Sequence, residues 1–538
     1  MDATEPAGKA GILGDNAVVT AVSRIRQRSE RQEDLQKLLG TFVEVGILPF
    51  LNNRNHQILF GRRGTGKTHV FRVLGSELGK EPGNTVVYID ARTLGSSSQF
   101  SDSTVPLKER CLSLFRDLLL EIYNGLLEHI VTCPSSAAEE ALVEADRMAA
   151  AVTEPLLAFG SASIATTRSE SSQTQAEAGI ALARQPGIRM GIGAQKAEHE
   201  DVSTRIDVAA YDKVMFPDLS RKLARTLKLA ETSLYVLLDE WSSLPHDIQP
   251  YLAEFLKRGV LPVAEATLKI ASLEYRSVFS EEEGRMRLGF ELGADIAVAP
   301  DLDDYYVFDR NPEHITDVYA DVLHRHLSSE LPHEYLEQKY SARDGRTLVG
   351  RLFTERKVFE ELARASEGVI RDLINIFSVA FFDARRRERE RIDKKAIVEA
   401  ARHWFEQDKA KQLGEELRSV LQRIVDEVIG RRKARSFLMP RDLEQHPTIR
   451  RLFDARVLHH IQRGYADKDN PGMRYNIYTL DYGTYVDLLG TSKQPDAGFS
   501  EAQLSEDFVV PFDDKRSIRR IVLDRSILEP TANGHAQR

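Results

Sequence analysis

Five short apolar runs, each bounded by polar segments, recur along the first 300 residues of the chain. Between them lie longer stretches with apolar residues at helical spacing. Strands buried on both faces of a parallel sheet read as continuous apolar runs, and alternation with helices is typical of such a sheet. The pattern predicts an α/β fold with a covered parallel sheet, built from HQILF (56–60), TVVYIDA (85–91), SLYVLLDEW (233–241), TLKIASL (267–273) and ADIAVAP (294–300).

A glycine-rich loop follows the first run. Its sequence, GRRGTGKT (61–68), fits G-x-x-x-x-G-K-[ST] at every fixed position, and a segment with helical spacing comes next. The backbone N–H groups of such a loop wrap a β-phosphate, Lys67 reaches the β- and γ-phosphates, and Thr68 ligates Mg²⁺. The alternative is an ordinary glycine turn, which the agreement of motif and context disfavours. The predicted nucleotide-binding residues are Gly61, Arg62, Arg63, Gly64, Thr65, Gly66, Lys67, Thr68 and His69.

The third run ends in two acids. Asp239 is expected to hold Mg²⁺ through its water shell, and Glu240 to orient and deprotonate the attacking water. An adjacent Asp–Glu pair favours nucleotide hydrolysis over binding alone, because the second carboxylate acts on water. Ser272 ends the fourth run, where a hydroxyl would touch the γ-phosphate or the water. The alternative for Ser272 is a hydroxyl bonded to nearby backbone.

These motifs resemble those of the AAA+ ATPases, in particular the origin-recognition and initiator-type branch in a bacterial subfamily. The resemblance extends to ASEGVIRDLINIFSVAF (365–381), where Gly368 and Arg371 match the small-residue turn and the arginine that begin a lid helix. It implies a P-loop NTPase sheet with a helical lid, ATP and Mg²⁺ as cofactors, ATPase activity, and contact between Arg371 and the γ-phosphate. The family form often has proline before that arginine, where this chain has Ile370.

The resemblance also implies an arginine finger supplied across a subunit boundary. A fixed guanidinium offsets the charge that grows on the transferred phosphoryl group. Arg276, Arg285 and Arg287 follow the strand that ends at Ser272, and Arg276 is the first choice because it is nearest to the strand end. Such a finger implies a homo-oligomer in the ATP state. The alternative for each of the three is a solvated arginine.

Changes in composition divide the chain into five regions. They are an N-terminal arm and helix (1–50), the ATPase core (51–310), a helical lid (311–405), a winged-helix domain (412–486) and a tail (487–538). Within the core, residues 154–206 are rich in Ser, Ala, Gly and Gln, so they can bury little surface. This insertion is either a tolerated surface loop or a protein-binding loop, and its GIALAR and GIRMGIG segments are compatible with a small hairpin.

Residues 412–486 follow the order helix, helix, helix and β-hairpin. The helices are GEELRSVLQRIVDEVIG, PRDLEQ and PTIRRLFDA, and DKDNPG is a strong hairpin turn. This order predicts a winged helix, a domain that contacts DNA in initiator-type AAA+ proteins. The predicted phosphate contacts are Arg450, Arg451, Arg463 and Arg474. Nearby acids dilute the basic field, so protein docking is the alternative.

Composition and charge narrow the setting. The 538 residues carry a net charge of −9, so binding to nucleic acid or an acidic membrane needs a local basic patch. The two cysteines give neither a disulfide framework nor metal-ligand spacing, and no apolar run is long enough to span a bilayer. The N-terminus lacks the basic start and apolar core of a signal peptide, so we expect a cytoplasmic protein.

Three functions fit these features. The first is an ATP-hydrolysing switch or assembly ATPase, initiator- or loader-like, that acts on DNA through its winged helix. The second is a signalling or antiviral-defence ATPase whose winged helix and insertion bind protein. The third is an ATP-dependent scaffold with little turnover, against which the Asp239–Glu240 pair argues.

Overall fold

A computed structural model describes residues 11–25, 34–95, 102–153, 156–159, 208–211, 215–284, 286–309, 311–466, 472–488 and 521–528. Most of the insertion predicted at 154–206, including its GIALAR and GIRMGIG segments, lies outside the described residues, and so does Arg285. None of the helices in these ranges combines the length and apolar character that a membrane-spanning segment needs.

The ATPase core alternates strands and helices after three N-terminal helices. Those three are α1 (Asn16–Arg24), α2 (Leu35–Thr41) and α3 (Leu48–Leu51). The core contains β1 (Gln57–Phe60), α4 (Lys67–Leu78), β2 (Asn84–Asp90), α5 (Leu107–Thr132), α6 (Ala138–Thr153), β3 (Leu156–Phe159), β4 (Val208–Tyr211), α7 (Phe216–Leu229), β5 (Ser233–Asp239), α8 (Gln249–Gly259), β6 (Ala266–Ser272), β7 (Ser280–Glu283), β8 (Met286–Gly289) and β9 (Ala297–Val298).

Five of these strands form one parallel sheet in the order β2-β5-β6-β1-β9. The predicted α/β fold is confirmed, although its last strand is only two residues long. Phe60 pairs with Ser272 and Asp90 pairs with Asp239, so the carboxyl ends of the strands meet at one edge of the sheet. In open α/β sheets this edge is where ligands bind.

Alternate side chains of β1 enter two separate cores. Leu59 joins a cluster with Val70 and Phe71 of α4 and with the lid, whereas Ile58 and Phe60 join a cluster with α5, α7 and α8. Because successive side chains of a strand point to opposite faces, this split is the covered arrangement that continuous apolar runs predict.

Two antiparallel hairpins in the core were missed by the sequence pattern. β3 pairs with β4, which brings the two flanks of the insertion together, and β7 pairs with β8. β4 begins at Val208, beyond the predicted end of the insertion at 206. Each strand has four residues, and the SEEE strand is polar throughout, so no periodicity identifies them.

The lid consists of helices that follow the sheet. They are α9 (Pro312–Ser329), α10 (Tyr335–Tyr340), α11 (Gly345–Leu352), α12 (Arg356–Ser366), α13 (Ile370–Arg386) and α14 (Lys394–Trp404). Before α13, Gly368 has a φ of +85°. A Cβ on Gly368 would lie 3.0 Å from Nη2 of Arg62 and 3.1 Å from the carbonyl oxygen of Tyr306. Glycine is therefore required where the lid meets the loop after β1.

The C-terminal domain contains α15 (Glu415–Val425), β10 (Ser436–Pro440), α16 (Arg441–Glu444), α17 (Pro447–Asp454), β11 (Leu458–Ala466) and β12 (Arg474–Leu480). Its strands form an antiparallel sheet in the order β10-β12-β11. The order helix, strand, helix, helix, strand, strand agrees with the predicted winged helix, so we keep that name for the domain. Sequence analysis missed β10, because SFLMP is one short apolar run without alternation. Leu438 of β10 also bonds the backbones of Ile521 and Leu523 (2.8 and 2.9 Å), so the tail extends this sheet.

Candidate nucleotide-binding site

The loop between β1 and α4, which we call the P loop (residues 61–68), holds two glycines in left-handed conformations. Gly64 and Gly66 have φ angles of +86° and +102°. A Cβ on Gly64 would lie only 2.8 Å from Cβ of Arg371 in α13, so both its φ angle and the approach of the lid require glycine. Because α4 begins at Lys67, the free N–H groups of its first turn belong to the motif, as in phosphate-binding loops.

Lys67 is buried against its own loop. Its Nζ donates to the carbonyl oxygens of Gly61 (2.7 Å) and Arg62 (3.0 Å). Burial lowers the pKa of Lys67, while the carboxylates of Glu240 and Asp303 act to raise it. Hydrogen bonds from an ammonium to an anionic oxygen are stronger than bonds to a carbonyl. The side chain is thus suited to exchange these carbonyls for phosphate oxygens.

Asp239 ends β5 with a carboxylate in a fixed orientation. Its Oδ1 accepts the N–H of Glu240 (2.8 Å), and its Oδ2 accepts the hydroxyl of Tyr88 in β2 (2.8 Å). Sequence analysis missed Tyr88, although a tyrosine near the polar end of a buried strand was an available signal. Burial and the adjacent Asp239 raise the pKa of Glu240. A carboxylate with a raised pKa is the better proton acceptor, which suits a general base.

Thr68 and Asp239 supply oxygen donors of the kind that Mg²⁺ uses. Mg²⁺ is usually bound through one or two protein oxygens together with waters and substrate phosphates, rather than in an all-protein cage. The described ranges contain no group of three or more His, Cys, Asp or Glu side chains that could hold a metal by themselves. A hydroxyl from Thr68 and a carboxylate from Asp239 are ligands of the kind that this mode of binding uses. The residues present therefore fit Mg²⁺ bound with a nucleotide.

Ser272 is buried at the end of β6, beside Phe60 at the start of the P loop. Its hydroxyl contacts the hydroxyl of Ser277, which donates to the carbonyl oxygen of Leu273 (2.7 Å). Ser272 thus lies at the predicted edge of the sheet, and its hydroxyl has a local partner. This resembles the alternative for Ser272, a hydroxyl bonded to nearby groups of its own segment. Its contact with the γ-phosphate or the attacking water stays a prediction.

The lid contacts the P loop at the first turn of α13. The backbone N–H of Arg371 donates to the carbonyl oxygen of Gly64 (3.1 Å). The arginine that the family resemblance identified therefore lies on the loop, even though Ile370 replaces the usual proline. Contact between the half-buried Arg371 side chain and the γ-phosphate stays a prediction.

The Arg62 side chain corrects a prediction, because it is directed away from the phosphate site. It is buried and donates from Nε to Asp303 (2.8 Å), from Nη2 to the carbonyl oxygen of Glu367 (3.0 Å) and from Nη1 to Nδ1 of His459 in β11. The backbone N–H of Arg62 also donates to Asp303 (3.0 Å). A buried guanidinium requires several acceptors, and here the core, the lid and the winged helix provide them.

His69 is a second correction among the predicted nucleotide-binding residues. Its Nε2–H donates to the carbonyl oxygen of Leu38 (2.6 Å), and its ring packs edge-on against Phe42 with centroids 5.2 Å apart. Burial lowers the pKa of His69 to about 4. The side chain therefore attaches α4 to the N-terminal segment instead of facing a nucleotide.

Arg276, the first choice for the arginine finger, pairs within its own chain. Its Nε donates to Oδ2 of Asp454 in α17 (2.7 Å). Partial burial and then the charge of Arg276 lower the pKa of Arg63, whereas the charge of Asp454 acts to raise it. Arg276 is thus paired within its own chain, and its contact across a subunit boundary stays a prediction. Arg287 in β8 is exposed and donates from Nη2 to Ser280 (3.2 Å).

Two of the four arginines predicted to contact DNA face the ATPase core, which corrects that assignment. The guanidinium of Arg450 in α17 lies 5.5 Å from the ring centre of Tyr275. Arg463 in β11 pairs with Glu274 and Asp301, each at 2.8 Å. The predicted recognition helix is thus docked on the segment that follows β6, a contact that no sequence pattern reveals.

The other two arginines, Arg451 and Arg474, are exposed. They leave the winged helix some basic surface outside its contact with the core. The contact itself also has an apolar part, because Phe453 packs edge-on against Tyr275 with ring centroids 5.0 Å apart.

Five buried residues, which we call the buried charge chain, connect the P loop to the lid through the winged helix. Arg62 contacts His459, whose Nε2 bonds Asp481 (2.8 Å). Asp481 pairs with Lys409, and Lys409 pairs with Asp372 (3.0 Å). Asp372 directly follows Arg371. Sequence analysis missed this chain because its members are distant in sequence and share no motif.

His459 is neutral in this arrangement. A guanidinium has only donors, so Nδ1 of His459 must accept from Arg62 while Nε2–H donates to Asp481. Burial lowers the pKa of His459 to about 4. Burial would raise the pKa of Asp481, but Lys409 and His459 outweigh it and lower that pKa to about 2.

Comparison with known proteins finds a similar family for the region that holds the P loop. A model of the family described as ORC-CDC6-like matches residues 28–285. Similar solved structures include Cdc6p from Pyrobaculum aerophilum, with 12% identity, a TM-score of 0.31, and 88% of this chain and 97% of that chain covered. Another is Drosophila ORC bound to DNA, with 10% identity, a TM-score of 0.28, and coverage of 90% and 94%. No curated protein matches the sequence.

Proposed function

We propose that the protein is an initiator-type AAA+ ATPase, an ATP-hydrolysing switch that acts on DNA, because residues 28–285 match the model of the ORC-CDC6-like family. The observation that supports hydrolysis most strongly is the Asp239–Glu240 pair, which lies at the same sheet edge as the P loop. The charges of both carboxylates act to raise the pKa of the buried Lys67. A scaffold that only binds ATP has no use for a second, partly buried carboxylate at that edge.

In this proposal each residue of the site has one task. Lys67 and the N–H groups of residues 64–68 bind the β- and γ-phosphates, and Glu240 takes a proton from the attacking water. Thr68 and Asp239 hold Mg²⁺, with Tyr88 fixing the carboxylate of Asp239. Bound Mg²⁺ offsets the negative charge of the phosphates.

The lid and the end of β6 complete the proposed γ-phosphate site. Arg371 and Ser272 are proposed to contact the γ-phosphate, so that ATP draws α13 and the end of β6 together. The hydrogen bond from the backbone N–H of Arg371 to Gly64 supports this, because a movement of the P loop would displace the start of α13. Lid closure on ATP and release after hydrolysis would make the protein a switch.

DNA is the proposed target because the family is initiator-like and a winged helix with exposed Arg451 and Arg474 follows the lid. A second candidate is a signalling or antiviral-defence ATPase whose winged helix docks on protein. The inward contacts of Arg450 and Arg463 favour this second candidate. Salt-dependent DNA binding separates the two candidates, because phosphate contacts release counterions and protein docking on the core does not.

We also propose self-association in the ATP state, with Arg287 or Arg285 as the finger while Arg276 is paired with Asp454. Light scattering of a Glu240→Gln variant with and without ATP tests this. A monomer under both conditions at micromolar concentration contradicts it.

Steady-state turnover tests the proposed ATPase function directly. Glu240→Gln should bind ATP and lose about 10²–10⁴-fold in turnover, as expected when a general base is removed. Glu282→Gln, an exposed acid on β7, is the matched control and should turn over normally. Near-normal turnover by Glu240→Gln contradicts the assigned role.

A further inference from the structure

Tyr88 connects the edge strand β2 to the carboxylate of Asp239 at the end of β5. Tyr88 pairs with Leu237, two residues before Asp239, and alternate residues of a strand point to the same face of the sheet. On that face Tyr88 packs against the core cluster that holds Leu237 together with Val70 and Phe71 of α4. The side chain of Tyr88 therefore runs beneath α4, and its hydroxyl reaches Oδ2 of Asp239 at 2.8 Å.

Both oxygens of the buried Asp239 carboxylate already have a donor. Oδ1 accepts the backbone N–H of Glu240 and Oδ2 accepts the hydroxyl of Tyr88, each at 2.8 Å. An ionised carboxylate has about four lone-pair sites, so each oxygen can still accept from a water. A metal ion that bound both oxygens directly would have to displace these two donors. The carboxylate is thus suited to hold a metal through bound water.

Arg72 in α4 fixes the ring of Tyr88. The centre of its guanidinium lies 3.6 Å from the centre of that ring, a distance at which the face of the ring attracts a cation. The contact restricts the ring and therefore the direction of its hydroxyl. Arg72 follows Thr68 by one turn on the same face of α4. One helix thus carries the proposed hydroxyl ligand, Thr68, and the residue that orients the partner of Asp239.

Mg²⁺ and Ca²⁺ make different demands on a carboxylate of this kind. Mg²⁺ gives up its waters reluctantly and usually keeps several of them in a protein site. Ca²⁺ is larger, takes six to eight oxygen ligands and often binds both oxygens of one carboxylate. A carboxylate with a donor on each oxygen suits the first mode and opposes the second.

We propose that Tyr88, held by Arg72, is a positioning residue that makes the nucleotide site selective for Mg²⁺ over Ca²⁺, because it keeps Oδ2 of Asp239 from binding a metal directly. This inference rests on the proposed ATPase function, in which the metal is bound together with the nucleotide. Tyr88 acts through Asp239 and contacts neither the nucleotide nor the metal.

Tyr88→Phe tests the selectivity, since it removes the hydroxyl and keeps the ring under Arg72. Calorimetric titration with a non-hydrolysable ATP analogue, once with Mg²⁺ and once with Ca²⁺, gives the ratio of the two affinities. The preference for Mg²⁺ should fall about tenfold, the size expected when one hydrogen bond to a charged group is lost. A residue that only supports the fold would change both affinities alike.

Tyr123→Phe is the matched control. It removes a hydroxyl that donates to Asp146 (2.5 Å) on the helices α5 and α6, so it should leave the ratio unchanged. An unchanged ratio in Tyr88→Phe overturns the proposal.

Arg72→Gln gives a second variant at an exposed position, where the fold tolerates the change. Without the guanidinium the ring of Tyr88 is less restricted, so the preference for Mg²⁺ should fall about threefold, the size expected of one exposed cation–π contact. If Tyr88→Phe does not fold, this variant decides the question, and an unchanged ratio in it overturns the proposal.

Water bound to the metal gives an independent measurement. Mn²⁺ takes the same kinds of oxygen ligand, and pulsed electron paramagnetic resonance counts the waters that it keeps in the complex with the ATP analogue. Tyr88→Phe should keep one water fewer than the unaltered protein, because the freed Oδ2 takes its place. Equal counts would overturn the proposal. A protein that binds the analogue with neither Mg²⁺ nor Ca²⁺ would instead overturn the ATPase proposal, and this inference with it.

Discussion

The P loop and the winged-helix domain both carry basic residues that the sequence assigns to anionic ligands, but the two regions use them differently. In the P loop, Gly64 and Gly66 have the positive φ angles that a phosphate-binding loop needs, and Lys67 bonds a carbonyl oxygen of its own loop. In the winged helix, Arg450 and Arg463 contact the ATPase core instead. A motif is fixed by its neighbours in sequence, whereas the role of a single arginine is decided by the domain against which it packs.

Lys67→Ala would break the P-loop side of this comparison and should have the largest effect. Lys67 is a buried cation of the loop, so its loss should weaken ATP and ADP binding by about 100-fold. That factor corresponds to about 3 kcal/mol, the upper end of the contribution of a hydrogen bond to a charged group. Lys80→Ala, at the exposed end of α4, is the matched control. Titration calorimetry on the two variants measures the difference, and retained binding by Lys67→Ala would show that Lys67 does not contact the phosphates.

Asp372→Ala would break the buried charge chain that connects the P loop with the winged helix. Asp372 is fully buried and paired with Lys409 and Arg456, so its removal leaves two buried cations short of an acceptor. The expected loss in free energy of unfolding is about 3–5 kcal/mol. Denaturation followed by the fluorescence of Trp404 in the lid measures it.

The matched control for that loss is Asp317→Ala. Asp317 also pairs with two arginines of the lid, Arg346 and Arg356, but its side chain is 42% exposed. A solvated pair contributes about 1 kcal/mol or less. Similar losses in the two variants would mean that the buried ion pairs of Asp372 stabilise the protein no more than the exposed pairs of Asp317.

Acidification should sharpen the comparison, because His459 belongs to the contact between the domains. Its pKa is about 4 in the folded protein against 6.5 ordinarily. Between these values the unfolded chain binds a proton that the folded protein does not, so stability is lost as the pH falls from about 6.5 to about 4. The upper limit is roughly 3 kcal/mol, at 1.36 kcal/mol per pKa unit. His69 titrates in the same window and acts in the same direction.

Unfolding midpoints across that pH range, compared with those of His459→Gln, isolate the contribution of His459. The variant should show a shallower decline with acid, because a buried histidine whose pKa is lowered in the folded protein is gone. His333→Gln replaces a side chain that is 92% exposed and should leave the decline unchanged. An identical slope in His459→Gln would mean that protonation of this residue does not govern the contact.

The sheet and the loop were predictable from sequence because their signals are local. Apolar runs identified the strands, and the spacing of Gly61, Gly66 and Lys67 identified the phosphate turn. β10 and the hairpins were missed because strands of four or five residues give no periodicity. The inward contacts of Arg62 and Arg463 were beyond sequence reasoning, since a guanidinium chooses its acceptors only after distant segments have packed.

Arg451→Ala would give the smallest effect and tests the winged helix in its docked arrangement. Each arginine that contacts a phosphate contributes about one unit to the slope of log affinity against log salt. Arg451 is exposed, so its loss should flatten that slope by about one unit, whereas Arg450→Ala should leave it unchanged because Arg450 lies over Tyr275. Fluorescence anisotropy on a mixed-sequence duplex across a salt series measures both variants. An unchanged slope for Arg451→Ala, or no DNA binding by the intact protein at low salt, would favour protein docking, because the exposed arginines would then contact no phosphate in any nucleotide state.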